Sequence, residues 1–491
     1  MKRKKKEAAA HLSIAERQAL GEEARGRTDP DAHSEWKPAA DRPDPVSLLK
    51  KQNKSRDPDL VPVRHGRMMV SPFTFYRGTA TVMATDLAAT PTAGLDVQLC
   101  GDAHLSNFGG YASPERQLVF DLNDFDETLP GPFEYDVKRL AASFTIAARN
   151  NQFSKADTRE VTLTAVEAYR TAMAEFAETA TMDLWYARMS EQDLRAGIEK
   201  ARQERVAAVG KGKKSLRRAE AKKMAKAAKR GAAVLEKAHT RTSLSALRKL
   251  TEVVDGKQRI VNQPPVVIPL RELGPHYGVD TDELEAVIDK QFGEYRATLS
   301  ETRRRLLDRF EIVDMARKVV GVGSVGTRAF VVLLRGRDEH DPLFLQVKEA
   351  TRSVLEAHLP RTRFATPGER VVQGQLMMQS ASDIFLGWSE GVEADRYYYW
   401  RQLRDMKGSA EVEIMIPEGM TYYARICGWT LARAHARSGD PVAIATYIGT
   451  DARFDKALGQ FAERYADQNQ ADYEVFRDAI SSGRIEATEG V

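Results

Sequence analysis

The stretch QLCGDAHLSNFGGY, from Gln98 to Tyr111, decides how this sequence is interpreted. It continues an apolar, strand-like run, GLDVQLCGD, and then places Asp102 five positions before Asn107. Carboxylate and amide oxygens are ligands that Mg²⁺ prefers in proteins. Asp and Asn also close turns at strand ends, so a single motif of this kind is consistent with a chemical or a purely structural role.

A second strand that ends in acids follows closely. The run RQLVFDLNDFDE carries Asp121 and Asp124, and Asp121 lies 14 positions after Asn107. With Asn107, either aspartate gives a set of oxygen ligands for a metal, and both stay open as candidates. A carboxylate that is not on the metal can orient a hydroxyl for attack on phosphorus, which is the role predicted for Asp102. The pattern therefore predicts a magnesium-dependent phosphoryl-transfer site.

The motifs CGDAHLSNFG, LVFDLNDFDE and YDVKRLA resemble the catalytic half of the protein-kinase-like superfamily, especially its aminoglycoside and choline phosphotransferase branch. The resemblance implies that Asp102 is the catalytic base and that Asn107 binds the metal. It also implies that Asp136 supports the catalytic loop. Spacing from Asn107 favours Asp121 as the metal-binding aspartate, whereas spacing back from Asp136 favours Asp124.

A second resemblance covers the whole chain. The motifs RMMVSPFTFYRG, CGDAHLSNFG, FDLNDFDETLPGPFEYDVKRLAAS and RQLRDMKGS are similar to those of the bacterial DUF2252 family. These motifs are long and specific, so they indicate membership. The family name implies no activity, and the function has to be argued from the residues.

The nucleotide-binding part is predicted downstream of the catalytic loop. The run VVGVGSVGTRAFVVLL places Gly321, Gly323, Ser324 and Gly326 between two strand-like segments, and glycines let a backbone approach phosphates closely. Lys348 follows 22 residues after Gly326, in the apolar strand LFLQVKEA, where it is suited to bind the phosphates of ATP. A tight hairpin with a snorkelling lysine is the structural alternative.

The catalytic loop thus precedes the glycine loop and the lysine strand, which is the reverse of their order in kinases. This order predicts an α+β, protein-kinase-like two-lobe fold that is circularly permuted and uses ATP and Mg²⁺. Chain termini and loop tips tolerate such permutation. Glu369, at the start of the helical run GERVVQGQ, is predicted to pair with Lys348 in preference to Glu356. Lys348 and Asp121, 227 positions apart, are predicted to face one cleft under Gly321–Gly326.

Composition and periodicity divide the chain into six parts. They are a flexible or draped N-terminal arm (1–60), a catalytic-loop lobe (61–190), a basic helical insert (191–245), a helical continuation of that lobe (246–309), a nucleotide-binding lobe (310–410) and C-terminal helices (411–491). The arm is assigned because its sequence is polar and contains prolines.

Positive charge is concentrated in the insert. Residues 199–240 hold 14 Lys and Arg and 4 Asp and Glu, which leaves about −6 for the rest of a chain whose net charge is +4. The segment predicts a protruding helix or hairpin, either a solvated basic helix or a site for nucleic acid or another polyanion. No aromatic residue interrupts the basic run 211–230, which disfavours stacking on single-stranded nucleic acid.

A further cluster of cations precedes the catalytic strand. Arg64, His65, Arg67 and Arg77 in RHGRMMVSPFTFYRG are candidates for binding phosphate or an acidic substrate. Surface or helix-capping roles are equally consistent with the sequence. His104, within the catalytic loop, is predicted to pack the loop and not to bind metal.

The remaining features narrow the compartment and the function. The basic N-terminus lacks a following apolar core, no apolar run approaches a membrane span, and two cysteines indicate a reducing compartment, so we expect a cytoplasmic protein without a membrane partner. The predicted function is an ATP- and Mg²⁺-dependent phosphotransferase of unknown acceptor. The alternatives are a pseudokinase-like nucleotide-binding module and a nucleic-acid-associated protein.

Overall fold

The structure of the protein, a computed structural model, describes residues 11–208, 214–254, 256–277, 281–319, 321–403 and 405–490. Helices and four small sheets are mixed along these ranges, so the predicted α+β character is confirmed. No helix within them is both long enough and apolar enough to cross a lipid bilayer.

The first half of the chain holds the predicted catalytic loop, residues 101–107. Its helices are α1 (Ile14–Arg27), α2 (Pro45–Asn53), α3 (Val61–Met69), α4 (Pro72–Arg77), α5 (Ala80–Leu87), α6 (Glu134–Asn150), α7 (Lys155–Glu178) and α8 (Thr181–Tyr186). Its strands are β1 (Asp96–Leu99), β2 (Phe108–Ala112), β3 (Leu118–Leu122), β4 (Leu129–Pro132) and β5 (Met189–Ser190). Of the predicted N-terminal arm, residues 11–60 form α1 and α2 and bury Trp36, Val46 and Leu49, so a polar composition does not prevent this segment from packing.

Residues 191–307 contain the predicted basic insert and the segment after it. The elements are α9 (Glu191–Ala208), α10 (Lys214–His239), α11 (Ser243–Leu250), β6 (Thr251–Val254), β7 (Lys257–Ile260), β8 (Val267–Pro269), α12 (Leu270–Tyr277), α13 (Thr281–Thr298) and α14 (Glu301–Leu307). Helix α10 buries Met224 and Ala238, and Lys223 forms an ion pair with Glu418. The basic insert therefore packs against the body of the protein along part of its length.

The last part holds the largest sheet. Its elements are β9 (Glu311–Lys318), β10 (Ala329–Arg335), β11 (Pro342–Glu349), α15 (Pro367–Met378), β12 (Gly387–Glu390), β13 (Tyr397–Gln402), β14 (Gly408–Ser409), α16 (Pro417–Ser438), α17 (Pro441–Ile448) and α18 (Arg453–Ser481). Six strands pair in the order β12, β13, β11, β10, β9, β8. The glycine loop, residues 321–326, connects the antiparallel strands β9 and β10.

Residues 246–309 lie elsewhere than their sequence predicted. They were expected to continue the catalytic lobe, but β8 forms the edge of the six-stranded sheet and α13 packs against that sheet. Tyr295 of α13 stacks on Trp400 of β13 with the ring centroids 4.6 Å apart. Both rings are buried, so the apolar face of α13 and that of the sheet form one core.

The main core lies among the helices of the other half. It is formed largely by α6, α7, α16 and α18, which bury a continuous set of aliphatic and aromatic side chains. Gly428 of α16 allows the closest approach, because a Cβ at this position would lie 2.2 Å from the carbonyl oxygen of Ala165 in α7. This core holds β1 and β3 in place, and both strands lead to the candidate site.

Candidate active site

Two adjoining cavities lie where the six-stranded sheet faces the catalytic loop. The sheet cavity, about 810 Å³, is lined by side chains of the sheet and by Lys407, which follows it. The arginine cavity, about 640 Å³, is lined by Asp102 and Asn107 and by the arginines of the segment before β1. Asp124 and the glycine loop line both cavities, so they form the junction between them.

Lys348 of β11 lines the sheet cavity beside this junction, but its partner is not the one that the sequence predicted. Its ammonium donates a hydrogen bond to Asp126 Oδ2 at 2.7 Å and lies 3.9 Å from Asp124 Oδ1. The Tyr399 hydroxyl donates to the other oxygen of Asp126 at 2.7 Å. Burial opposes the charge on Asp126, yet Lys348 outweighs it and holds the pKa of that carboxyl below its ordinary value.

Asp121 does not meet Lys348 in the cleft, contrary to the prediction. Its side chain is fully buried, and one carboxylate oxygen pairs with Arg433 of α16. The other accepts hydrogen bonds from Ser380, at 2.8 Å from the backbone N–H and 2.9 Å from the hydroxyl. Asp121 lies within β3, where both faces are covered, whereas Asp124 follows the strand and lines the cavities. The geometry therefore favours Asp124 among the two candidate metal ligands.

Asp102 is held by Arg139 of α6. One carboxylate oxygen, Oδ1, accepts from Nε at 2.8 Å and lies 2.6 Å from Nη2, while Oδ2 lies 3.7 Å from His104 Nε2. The guanidinium of Arg139 also lies 3.8 Å from the ring centroid of Tyr76. Burial raises the pKa of Asp102, and Arg139 opposes that rise. Arg139 thus fixes one oxygen of Asp102 and forms no hydrogen bond to the other within the described residues, and Asp102 lines the arginine cavity.

The loop that carries Asp102 is anchored by Asp136, as the resemblance implied. The carboxylate of Asp136, in the first turn of α6, accepts from the backbone N–H groups of Cys100 at 2.7 Å and Gly101 at 3.0 Å. The Asn107 amide donates to the carbonyl oxygen of Asp102 at 2.8 Å. These bonds fix the two ends of the loop relative to each other.

The glycine loop is held against the segment before β1. Gly321 and Gly326 have φ values of +70° and +87°, which favour glycine. A Cβ on Gly323 would lie 2.9 Å from the carbonyl oxygen of Arg77 at the end of α4. Backbone contact this close leaves no room for another side chain, so the loop rests directly on the rim of the arginine cavity.

Glu369 is not the partner of Lys348. Its Oε2 accepts from the backbone N–H of Ala365 at 3.0 Å, and its own N–H donates to Thr366, the residue that caps α15, at 3.1 Å. The amphipathic start of α15 was correctly located, but its acid caps the helix. Glu356 lies 3.9 Å from Arg370 and likewise does not contact Lys348.

The early cations divide into two groups. Arg64 and Arg77 line the arginine cavity. His65 instead bonds through Nδ1 to the carbonyl oxygen of Glu486 at 2.6 Å, and Arg67 donates to Gly321 O at 2.6 Å. His104 accepts from the backbone N–H of Ser106 at 3.2 Å, in keeping with its predicted role in packing the loop.

Several residues at the cavities were not singled out from the sequence. Asp126 lies two positions after Asp124, and Arg139 lies one helical turn after Asp136, but nothing local marks their partners. Lys407 belongs to the RQLRDMKGS motif, and burial together with nearby Arg401 lowers its pKa to about 7. Of these residues, only Lys407 could have been singled out from the sequence, because it lies within a family motif.

Part of the basic insert also reaches the sheet cavity. Lys237 at the end of α10, Arg241, and Arg248 and Lys249 of α11 line it together with Arg401. These side chains make the cavity strongly cationic and suited to polyphosphate. Binding of a nucleic acid or another polyanion along residues 199–240 stays a prediction.

A metal would need ligands beyond the protein here. Within the described ranges, no group of three or more Asp, Glu, His or Cys side chains is arranged to hold a metal ion. A site at Asp124 and Asn107 therefore depends on phosphate oxygens or water to complete it.

Comparison with known proteins gives one match. The model of a family described as "Uncharacterized protein conserved in bacteria (DUF2252)" matches residues 56–479. No curated protein and no solved structure matches the chain. The matched range includes every residue that lines the sheet cavity and the junction, whereas five residues that line the arginine cavity, between Pro43 and Ser55, precede it.

Proposed function

We propose that this chain, which belongs to the DUF2252 family, transfers the γ-phosphoryl group of ATP to a hydroxyl of an acceptor in a magnesium-dependent reaction. One observation carries the proposal: the sheet cavity and the arginine cavity meet at Asp124 and the glycine loop. Lys348 lies in the first cavity and Asp102 in the second. A phosphoryl group at the junction has its donor on one side and its acceptor on the other, as in-line transfer requires.

A protein-kinase-like lobe is part of the proposal. Along residues 311–402 the chain forms a hairpin with a glycine loop, a lysine strand, the helix α15 and two further strands of the same sheet. Protein kinases likewise place a glycine-rich loop over the phosphates and a lysine on the third strand. The order β9, β10, β11 matches that arrangement.

The end of α16 supports the permuted order. In an unpermuted kinase the lobe that binds the phosphate donor precedes the catalytic loop, whereas here that lobe (310–410) and α16 follow it. Helix α16 nevertheless ends against the catalytic strand, since the backbone N–H of Gln98 in β1 donates to Ser438 Oγ at 3.1 Å. The helix and the strand are neighbours in space although 340 positions separate them. Joining them directly would restore the usual order without moving either element.

The junction fits a magnesium ion held partly by its substrate. Asp124 offers a carboxylate whose side chain is 33% exposed. The Asn107 amide oxygen accepts no hydrogen bond within the described residues, because the contact to Asp102 uses the amide nitrogen. When bound there with ATP, Mg²⁺ neutralises the charge that develops on the phosphate oxygens.

The chain's own residues then have separate roles. The acceptor's hydroxyl oxygen forms a bond to the γ-phosphorus, the bond from that phosphorus to the β–γ bridging oxygen breaks, and ADP leaves. The hydroxyl proton passes to Oδ2 of Asp102, the oxygen that Arg139 does not contact. Arg139 keeps Asp102 oriented, and Lys348 binds phosphate oxygens from the wall of the sheet cavity.

Two substitutions test this proposal without a known acceptor. Slow ATP hydrolysis measures turnover, and calorimetric titration with Mg·AMP-PNP measures nucleotide affinity. Asp102→Asn should lower turnover by about 10²–10⁴-fold and leave the Kd within about twofold. Lys348→Ala should weaken the Kd by about tenfold or more, because it removes a charge-assisted contact.

Arg425→Gln is the matched control, because Arg425 is exposed on α16 and lines neither cavity. It should change neither quantity. Wild-type protein that binds no Mg·AMP-PNP contradicts the proposal. Protein that binds the nucleotide but consumes no ATP with any acceptor screened is better described as a pseudokinase-like binding module.

A further inference from the structure

The arginine cavity contains a buried cation without an acidic partner. Arg64 of α3 is fully buried and lines the cavity. Its guanidinium donates to Asn53 Oδ1 at 2.8 Å and to Gln52 Oε1 at 2.9 Å. A third bond reaches the carbonyl oxygen of Gly78 at 2.8 Å. All three acceptors are neutral. The guanidinium of Arg64 is therefore hydrogen-bonded, but within the described residues no carboxylate pairs with its positive charge.

Two more arginines line the same cavity in a similar state. Arg77 of α4 forms no hydrogen bond and no ion pair within the described residues, and its Nε is buried without a partner. Arg56 donates to the carbonyl oxygen of Val325 in the glycine loop, and its Nε is also buried without a partner. Over the same residues, no carboxylate lies within 4.0 Å of the guanidinium nitrogens of Arg56, Arg64 or Arg77.

Three acids of the cavity have cations of their own. Asp102 pairs with Arg139, and Asp126 pairs with Lys348. Glu349, at the end of β11, pairs with Arg396. These carboxylates are therefore already compensated. A further acid, Glu127, lines the cavity without an ion pair among the described residues and favours the charge on Arg56. One such carboxylate against three arginines leaves a positive excess for something outside the chain.

An uncompensated buried charge is costly to a folded protein. Burial lowers the pKa of Arg64 well below its ordinary value, which reflects that cost. Guanidinium groups bind phosphate and carboxylate with paired, charge-assisted hydrogen bonds. An ammonium-bearing acceptor would instead meet three like charges.

We infer that the acceptor is a small, hydroxyl-bearing anion whose phosphate or carboxylate group is bound by Arg56, Arg64 and Arg77. Its hydroxyl then lies in the same cavity as Asp102, which receives the proton. This inference rests on the proposed function, because it assigns a substrate class to the acceptor side of that site.

Calorimetry with three simple probes tests the inference. Glycerol 3-phosphate, glycerate and glycerol are each titrated into protein saturated with Mg·AMP-PNP, which fills the sheet cavity. At least one of the two anions should bind tenfold or more tighter than glycerol, since charge-assisted hydrogen bonds are worth about that factor. The anion that binds better identifies phosphate or carboxylate as the group that is recognised.

Substitutions of Arg77 test whether the anion binds in the arginine cavity. Arg77→Gln should weaken the anion by about tenfold or more and leave Mg·AMP-PNP affinity unchanged, while Arg77→Lys should restore part of the loss. Arg425→Gln is the control for general loss of positive charge. Arg77 has no internal hydrogen bond to lose, so these variants should fold, and circular dichroism checks that they do.

The failures of the two proposals can be told apart. If Mg·AMP-PNP binds but neither anion binds better than glycerol, or if Arg77→Gln binds the anion as well as wild type, the anionic acceptor is overturned and the phosphotransferase stands. If no nucleotide binds, the probes are titrated into the free protein. Arg77-dependent anion binding there supports the anion site, and its absence overturns it.

Discussion

Asp124 and Asp126 lie two positions apart in the loop after β3, but their surroundings differ. Both oxygens of Asp126 are occupied, one by Lys348 and one by the Tyr399 hydroxyl. Asp124 lies 3.9 Å from Lys348 and stays partly exposed at the junction of the cavities. A metal ligand needs an oxygen that is free to reach the ion, so Asp124 is the residue that we propose for that role, while Asp126 anchors Lys348.

Substitutions separate the metal ligand from the buried acid. Asp124→Asn should weaken magnesium-dependent binding of AMP-PNP by about tenfold or more and leave the unfolding midpoint nearly unchanged. Asp121→Asn should instead lower the free energy of unfolding by about 3–5 kcal/mol, because it leaves Arg433 buried without its partner. Urea unfolding and calorimetry measure the two effects. The opposite pattern would assign the metal to Asp121.

The sequence located these acids but could not rank them. Spacing from Asn107 favoured Asp121, whereas spacing back from Asp136 favoured Asp124. The choice depends on Arg433, which lies 312 positions from Asp121, and on Lys348, which lies 222 positions from Asp126. Local patterns hold no information about contacts between residues so far apart.

The lowered pKa of Lys407 predicts that the protein takes up a proton when it binds nucleotide. Its pKa is lowered to about 7 by burial and by Arg401, so the free protein holds it mostly neutral at pH 8. A bound triphosphate favours the ammonium form and raises that pKa, so binding of Mg·AMP-PNP at pH 8 should take up as much as about one proton. Near pH 5.5 Lys407 is already charged, and the uptake should vanish. Calorimetry in buffers of different ionisation enthalpy measures it.

Lys407→Met is the control for that uptake, because it keeps a long side chain without a titratable group. The variant should bind nucleotide with no Lys407-dependent proton uptake at pH 8. Equal uptake in the variant and in wild type would show that another group takes the proton.

The glycine loop matters as an element that touches both halves of the site. It connects β9 and β10, lines both cavities and rests on the end of α4. Arg56 contacts the same loop through Val325 while lining the arginine cavity. Movement of the loop therefore changes the walls of both cavities at once.

Gly323→Ala should disturb this contact. The new Cβ would lie 2.9 Å from the carbonyl oxygen of Arg77, so the loop must move away from α4. We expect weaker binding of Mg·AMP-PNP and lower turnover. The unfolding midpoint is measured alongside, since Val325 of the same loop is buried in a small core with Leu60 and Val63. Gly293→Ala in α13 is the control, since a Cβ there meets no atom within 4 Å. Calorimetry that shows equal affinity in both variants would contradict this role of the loop.

The helices and strands were easier to predict than the contacts that they make with one another. The runs that predicted strands over β1, β3 and β11 and a helix over the start of α15 lie where the structure has them, because periodicity is a local property. Glu369 was placed on the right helix and given the wrong partner, since a first-turn acid serves equally as a cap. The position of α13 against the sheet depends on Trp400, which its own sequence does not show.

At the scale of the whole molecule, the sheet cavity joins parts of the chain that are far apart in sequence. Its walls come from β2, from the basic insert and from the six-stranded sheet. A ligand that fills it therefore contacts β2, whose Phe108 belongs to the core around α6 and α16, and β11, whose Val347 belongs to the core beneath the sheet. Binding should stabilise the two together.

Mg·ATP should raise the unfolding temperature of the entire chain, with a gain of about 2.7 kcal/mol at a hundred times the Kd. Hydrogen exchange should slow in β11 and in α6 alike. Chelation of the magnesium with EDTA should reverse both effects. Protection confined to one of these elements would mean that the ligand does not bridge the two cores.

The contact between Ser438 and β1 also has a consequence for how the protein is made. A ribosome releases the catalytic strand first and the helix that completes its surroundings 340 residues later. Until then the nascent polypeptide carries this strand without its final neighbour, and such incomplete surfaces are prone to aggregate. Translation therefore leaves the half that holds Asp102 waiting for the half that holds Lys348, and this interval is when we expect the growing chain to bind a chaperone.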